Sequence, residues 1–166
     1  RNFLGGGYQN YIVGNRASVI VGGEENYIYS GSNFSFIGGG VQNIIYQQRS
    51  TPGSLTNTLY AFIGGGETDY ISGGTHNTVV GGQTNKIYGD VDLNRESSYG
   101  FIGGGVGNFI SGDTNHSTIG GGDTNMSTIA AGMIDNAYGG ILRILGGYHL
   151  AVGYETILTV GSVNNV

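Results

Sequence analysis

Residues 101–122 read FIGGGVGNFISGDTNHSTIGGG, and a short unit inside them decides the fold. NFISG at 108–112 and STIGG at 117–121 are both Asn/Ser-x-Ile-x-Gly. Working outward from them, a branched residue marks the centre of each further unit. Leu4, Ile12, Ile20 and Ile28 follow at intervals of eight, then Ile37 after nine and Ile45 after eight. After one insertion Ile63, Ile71, Val79 and Ile87 resume the step, and after a second come Ile102, Ile110, Ile119, Ile129 and Tyr138. Two residues before the markers stand Asn2, Asn10, Ser18, Asn26, Ser35, Asn43, Asp69, Asn77, Asn85, Asn108, Ser117, Ser127 and Asn136. Ala61 and Gly100, each directly after an insertion, are the exceptions. A fixed short period with restricted positions is the pattern of a solenoid, whose repeats pack only on their neighbours.

The period translates into geometry. Side chains alternate along a strand, so in N-x-I-x-G the Asn and Ile share one face and the x positions the other. A strand of about five residues and a corner of about three make a half-turn, and two half-turns a coil of about sixteen. Glycine suits the corners because it tolerates positive φ. The uniform Ile markers are the inward residues, and the Asn and Ser beside them are expected to hydrogen-bond corner backbone that has no regular partner. The expected fold is therefore all-β, a β-solenoid (β-roll) of two short strands per coil and nine or ten coils. It covers 1–140 with insertions at 46–60 and 88–100, and 141–166 is a degenerate capping or transition segment. A helix is excluded, because the apolar residues lack a 3.6 period and each glycine would cost about 1 kcal/mol relative to Ala.

Composition narrows the function. The chain has 166 residues with 35 Gly, one Pro and no Cys, so collagen, disulfides and thiolate metal sites are excluded. A net charge of −5 argues against nucleic acid as a partner, which needs clustered Lys and Arg. No apolar run approaches the roughly 20 residues of a membrane helix, so no membrane insertion is expected. With no signal-peptide pattern at Arg1, the chain reads as a mature product or a fragment. Catalytic constellations are scarce. His76 and His116 share a corner position two coils apart, roughly 10 Å, too far to share an ion. Glu24, Glu67 and Asp123 are spread along another corner in the same way. Phosphate-loop, calcium-nonapeptide and nucleophile-elbow motifs are missing, so no catalytic residue, metal or cofactor is assigned and no enzyme is expected.

Sorting the half-turns by parity gives two outer faces. Face A carries Phe3, Val19, Phe36, Phe62, Thr78, Phe101 and Thr118 before its markers, and Gly5, Val21, Gly38, Gly64, Val80, Gly103 and Gly120 after them. None of these is charged. A strand apolar on both sides is normally covered on both sides. Seven coils at about 4.8 Å give a patch on the order of 350–500 Å², at the top of the range for a monomer. Face A is thus read as a self-association surface built on Phe3, Val19, Phe36, Phe62 and Phe101, with Gly38, Gly64 and Gly103 allowing close backbone approach. The alternative is a merely apolar β-surface. Face B shows Tyr11, Tyr27, Ile44, Tyr70, Lys86 and Phe109, and Val13, Tyr29, Tyr46, Ser72, Tyr88 and Ser111. Its tyrosines can stack as cross-strand pairs or present rings to a saccharide or protein.

The insertions, YQQRSTPGSLTNTLY at 46–60 and YGDVDLNRESSYG at 88–100, leave the same B-to-A corner. They place Arg49, Asp92 and Arg95 near Tyr46, Tyr70 and Tyr88, a combination suited to a host-surface glycan or protein contact. The other reading is a pair of solvated corner loops.

SVIVGG at 18–23, SFIGGG at 35–40 and STIGGG at 117–122 resemble the β-roll repeats of trimeric autotransporter adhesin heads and the glycine-rich repeats of phage tail fibres. The resemblance spans roughly residues 2–140. It implies a left-handed roll, a parallel homotrimer and an extracellular place, on a virion tail fibre or a cell surface. The function it implies is a structural and receptor-binding fibre segment, or else an adhesin head binding host matrix or glycan. The Asn-x-Ile-x-Gly half-turn is also similar to plant ice-binding rolls, although those need a regular Thr or polar surface where this chain has Phe and Tyr.

Overall fold

The computed structural model describes residues 1–49, 55–88, 98–114, 117–122, 126–137, 141–144, 147–151 and 158–160. They form an all-β solenoid in which every strand of the coil pairs in parallel with its counterpart one coil away. One ladder is face A: Phe3–Leu4, Val19–Ile20, Phe36–Ile37, Phe62–Ile63, Thr78–Val79, Phe101–Ile102 and Ser117–Ile119. The other is face B: Tyr11–Ile12, Tyr27–Ile28, Ile44–Tyr46, Tyr70–Ser72, Lys86–Tyr88 and Phe109–Thr114. As far as Ile110 and Ile119, marker pairs with marker, as in Ile37↔Ile63 and Ile71↔Ile87. A third line of bridges, Tyr8↔Glu24↔Val41↔Glu67↔Gln83↔Val106, runs along the A-to-B corner.

The core is two facing columns of isoleucines, one from each ladder. Ile20, Ile28, Ile37, Ile45, Ile63, Ile71, Ile87, Ile102, Ile110 and Ile119, with Val79, are fully buried. Ile12 packs against this core only in part, and Leu4, in the first described coil, is exposed. Burying such a side chain contributes roughly 1.5–3 kcal/mol. That gain is what offsets a backbone so rich in glycine.

The strands are shorter than the repeat suggests. They span two or three residues in the regular coils rather than five. The physical reason lies just ahead of them. Gln9, Glu25, Gln42, Thr68 and Thr84 before one set of strands, and Ala17, Phe34, Tyr60, His76 and Tyr99 before the other, all have φ between 51° and 60°. A left-handed residue in each of these corners turns the chain sharply and ends the extended run. Gly107 takes the same place with φ 65°.

Inside the A-to-B corner, asparagines form a ladder. Asn26 Oδ1 accepts from Asn43 N and Asn43 Nδ2, both at 3.0 Å. Asn43 Nδ2 also donates to Gly39 O at 2.9 Å and Gly66 O at 3.0 Å. The pattern recurs from Asn10 to Asn108. The Asn side chains therefore hold the corner backbone, as the sequence leads one to expect, and also tie each coil to the next. At the other corner the inner residues are mixed: Ser18, Ser35, Ala61, Asn77, Gly100 and Ser117.

Both insertions leave the ladders undisturbed, since Phe36 pairs directly with Phe62 and Thr78 with Phe101. Within the first, Gln48–Arg49 pairs with Leu55–Thr56 as a two-stranded antiparallel ribbon. Thr58 then closes the corner, donating to Tyr46 O and accepting from Gly73 N, each at 2.7 Å.

Beyond Gly112 the register departs from the Ile pattern. Ile110 pairs with Ser127 and Gly112 with Ile129, while Ile119 pairs with Ala137. Ile129 is therefore not the rung that follows Ile110, and Tyr138 lies outside the described residues. A two-residue shift keeps strand parity, so a branched residue at Ile129 imitates a marker without being one. The parallel pairing continues through Ile141–Ile144, Gly147–Ala151 and Leu158–Val160. Among the described residues each ladder then has nine rungs, within the expected range.

Candidate functional site

Face A presents its Phe column as an in-register row, Phe3↔Val19↔Phe36↔Phe62↔Thr78↔Phe101↔Thr118. Phe36 and Phe62 stack with ring centroids 5.1 Å apart and planes 4° from parallel. Phe3 is 57% exposed, and Phe62 and Phe101 are each 38% exposed. Val19 and Phe36 are half-buried. The glycine two residues on from each Phe is required by the chain itself. A Cβ on Gly38 would lie 3.3 Å from Phe36 Cε1 and would strike Gly64 O of the next coil. Gly64 faces Val80 O and the Phe62 ring, and Gly103 faces Gly120 O and the Phe101 ring, in the same way. The close backbone approach at these glycines is thus made by the molecule's own next coil, with the Phe ring laid over it.

On face B the three candidate tyrosines come together. Tyr70 lies between Tyr46 and Tyr88, with centroids 5.0 Å and 5.1 Å away and planes tilted 57° and 50°. Phe109 extends the row, 5.5 Å from Tyr88. Burial pushes the Tyr70 hydroxyl pKa up, and a hydrogen bond to Tyr46 adds to it. Burial likewise raises Tyr88. Ser72, which pairs in register with Tyr46 and Tyr88, is fully buried. Beside the row is an open depression of about 310 Å³ lined by Thr84, Lys86, Tyr88, Gly107, Asn108 and Phe109. Farther up, Tyr11 and Tyr27 stack at 5.5 Å. Arg49 stands in the ribbon strand opposite Leu55, while Asp92 and Arg95 lie outside the described residues, as does His116.

A further aromatic column was not expected. Phe34, Tyr60, His76 and Tyr99 stack along the B-to-A corner with centroids 5.2, 4.8 and 5.0 Å apart. All four carry the left-handed φ of that corner. The signal was in the sequence, since each directly precedes an inner residue: Ser35, Ala61, Asn77 or Gly100. Their ring faces are occupied by one another, which leaves edges rather than faces for a ligand and suits a stabilising role.

Along the opposite corner, Gln42 Nε2 donates to Glu25 at 2.7 Å and Gln83 Nε2 to Glu67 at 3.1 Å, pairing acids with amides across coils. Among the described residues no group of three His, Cys, Asp or Glu could hold a metal ion. No family model, curated protein or solved structure matches the chain.

Proposed function

We propose that this chain is a rigid shaft segment of an extracellular fibre, of the kind found in viral tail fibres, and that it self-associates through face A as a homotrimer. The observation that carries the reading is the exposed, in-register Phe column, whose neighbouring outward positions hold only Val, Thr and Gly. Each Phe covered by a partner would contribute roughly 1.5–3 kcal/mol. Three copies closing around one axis would cover the face on every copy, and a closed ring avoids open-ended assembly. The likeness of the SFIGGG-type units to adhesin heads favours three over two. The test is sedimentation of the wild-type chain against a variant with Phe36, Phe62 and Phe101 all changed to Ser. The wild type is expected to sediment as a trimer and the variant as monomer or precipitate. A wild-type chain that stays monomeric at micromolar concentration refutes the reading.

A second reading, a surface adhesin that binds host matrix or glycan, is favoured by the cluster of Tyr46, Tyr70 and Tyr88. Tilted tyrosine rings beside an inserted ribbon and a shallow depression offer both apolar faces and hydroxyls to a sugar. Changing the three tyrosines together to Ala is expected to abolish binding on a glycan array while leaving the oligomer intact. Binding that survives the change excludes this site. An ice-binding role has the least support, because Phe and Tyr stand where a regular Thr array is needed.

A further inference from the structure

Asp69 occupies a rung of the ladder that asparagine fills at positions 10, 26, 43, 85 and 108. It is fully buried. Its Oδ1 behaves as an asparagine Oδ1 does, accepting from Asn85 N at 2.8 Å and Asn85 Nδ2 at 3.1 Å. The second atom is where it differs. In the neighbouring rungs that atom is an Nδ2 with three acceptors. For Asn43 these are Asn26 Oδ1, Gly39 O and Gly66 O. For Asn85 they are Asp69 Oδ1, Gly81 O and Gly105 O. By analogy with those rungs, Asp69 Oδ2 stands where their Nδ2 stands, and the equivalents of its acceptors are Asn43 Oδ1, Gly65 O and Gly82 O. The corner glycines mark the position. A Cβ on Gly66 would lie against Asp69 Oδ2 and Gly82 O, as one on Gly40 would lie against Asn43 Nδ2 and Gly66 O. No donor reaches Asp69 Oδ2.

A carboxylate oxygen among three acceptors is repelled by all of them, and burial removes the water that would relieve it. A protonated oxygen has the one hydrogen that the site lacks. We propose that Asp69 is a buried carboxylic acid whose retained proton replaces the missing amide donor, which makes its coil a pH-sensitive joint in the solenoid.

The surroundings agree. Burial raises the Asp69 pKa from 3.8 to about 6, against the lowering effect of the hydrogen bonds from Asn85. The ionisable groups on the elements packed around it lie on the outer surface: Tyr70 on its own strand, Tyr46, Lys86 and Tyr88 on the flanking strands, and Glu67 on the corner. Among the described residues Asp69 is the sole ionisable acid or base inside the tube. Because the folded pKa is raised, the stability that the proton supplies is full below the ordinary carboxyl pKa and is lost as pH rises through about 6. The folding equilibrium constant should fall roughly tenfold between pH 5 and pH 8, out of on the order of 100-fold over the whole window.

The experiment compares thermal unfolding midpoints of the wild type and Asp69→Asn at pH 5 and pH 8, followed by circular dichroism. Asn is the residue of the other rungs, so the variant should fold, and at pH 8 it should melt above the wild type. The wild-type midpoint should drop between pH 5 and pH 8 by more than the variant's. Every other ionisable group is common to both chains, so the difference isolates position 69. The carbon-13 shift of the Asp69 carboxyl reports the proton directly and should be that of an acid at pH 5. A carboxylate shift at pH 5, equal pH slopes in the two chains, or a variant that does not fold would each overturn the proposal.

Discussion

Removing one rung of the asparagine ladder is the sharpest test of what holds the coils together. Asn26 donates from Nδ2 to Asn10 Oδ1 at 3.0 Å, Gly22 O at 3.1 Å and Gly40 O at 2.9 Å, and its Oδ1 accepts from Asn43 N and Nδ2. After Asn26→Ala, several of these partners remain satisfied. Gly40 O keeps Glu24 N at 2.9 Å, Asn10 Oδ1 keeps the residue-26 N–H at 3.0 Å, and Asn43 Nδ2 keeps Gly39 O and Gly66 O. The Asn43 N–H is left buried without its acceptor, and Gly22 O loses its side-chain donor. One orphaned buried donor costs about 1–3 kcal/mol, and the lost hydrogen bonds add about 1 kcal/mol more. The expected loss is therefore about 2–4 kcal/mol. For a chain of this size that is a fall of roughly 5–15 °C in the unfolding midpoint. Thermal and urea melts by circular dichroism would measure it, with exposed Gln9→Ala as the control. Hydrogen exchange should show the Asn43 amide losing protection first. If Asn26→Ala stays within about 0.5 kcal/mol of the wild type, the range for an ordinary surface change, the ladder is not what ties the coils.

Two further outcomes follow from the packing. Ile102→Asp puts a carboxylate into the fully buried isoleucine core and should cost more than about 4 kcal/mol, read as loss of soluble, β-rich protein. Thr84 is β-branched at φ 60°, so Thr84→Asn should relieve strain and raise stability by about 0.5–1 kcal/mol, read as a higher urea midpoint.

The core was legible because it depends on one residue per half-turn. The eight-residue step names Ile20 through Ile119 as inward, and an interior that takes one marker from each face per coil leaves that step little room to mislead. The pairing of Phe36 with Phe62 across an insertion was legible for the same reason, since the marker and its polar companion both restart after the break. The corners were harder. Alternation assigns a face only to extended residues, so it says nothing about Phe34, Tyr60, His76 and Tyr99, whose left-handed φ takes them out of the strand. Register after Gly112 was lost because Ile129 has the right parity and the wrong partner. Asp69 was visible as a member of the inner polar column. What its second oxygen faces depends on carbonyls from two other coils, and no local pattern encodes that.

The hydrogen bonds that join the coils run along the long axis, from one turn to the next, as in Tyr27 N to Asn43 O and Tyr70 N to Asn85 O. Tension applied between the two ends would therefore meet the coils in series and peel them from an end one at a time. Each coil rises only about 4.8 Å when folded, yet about sixteen residues pulled straight span roughly 54 Å. A single released turn lengthens the molecule about tenfold locally while its neighbours keep their structure. Under mechanical load such a stack would yield in discrete steps, one turn at a time.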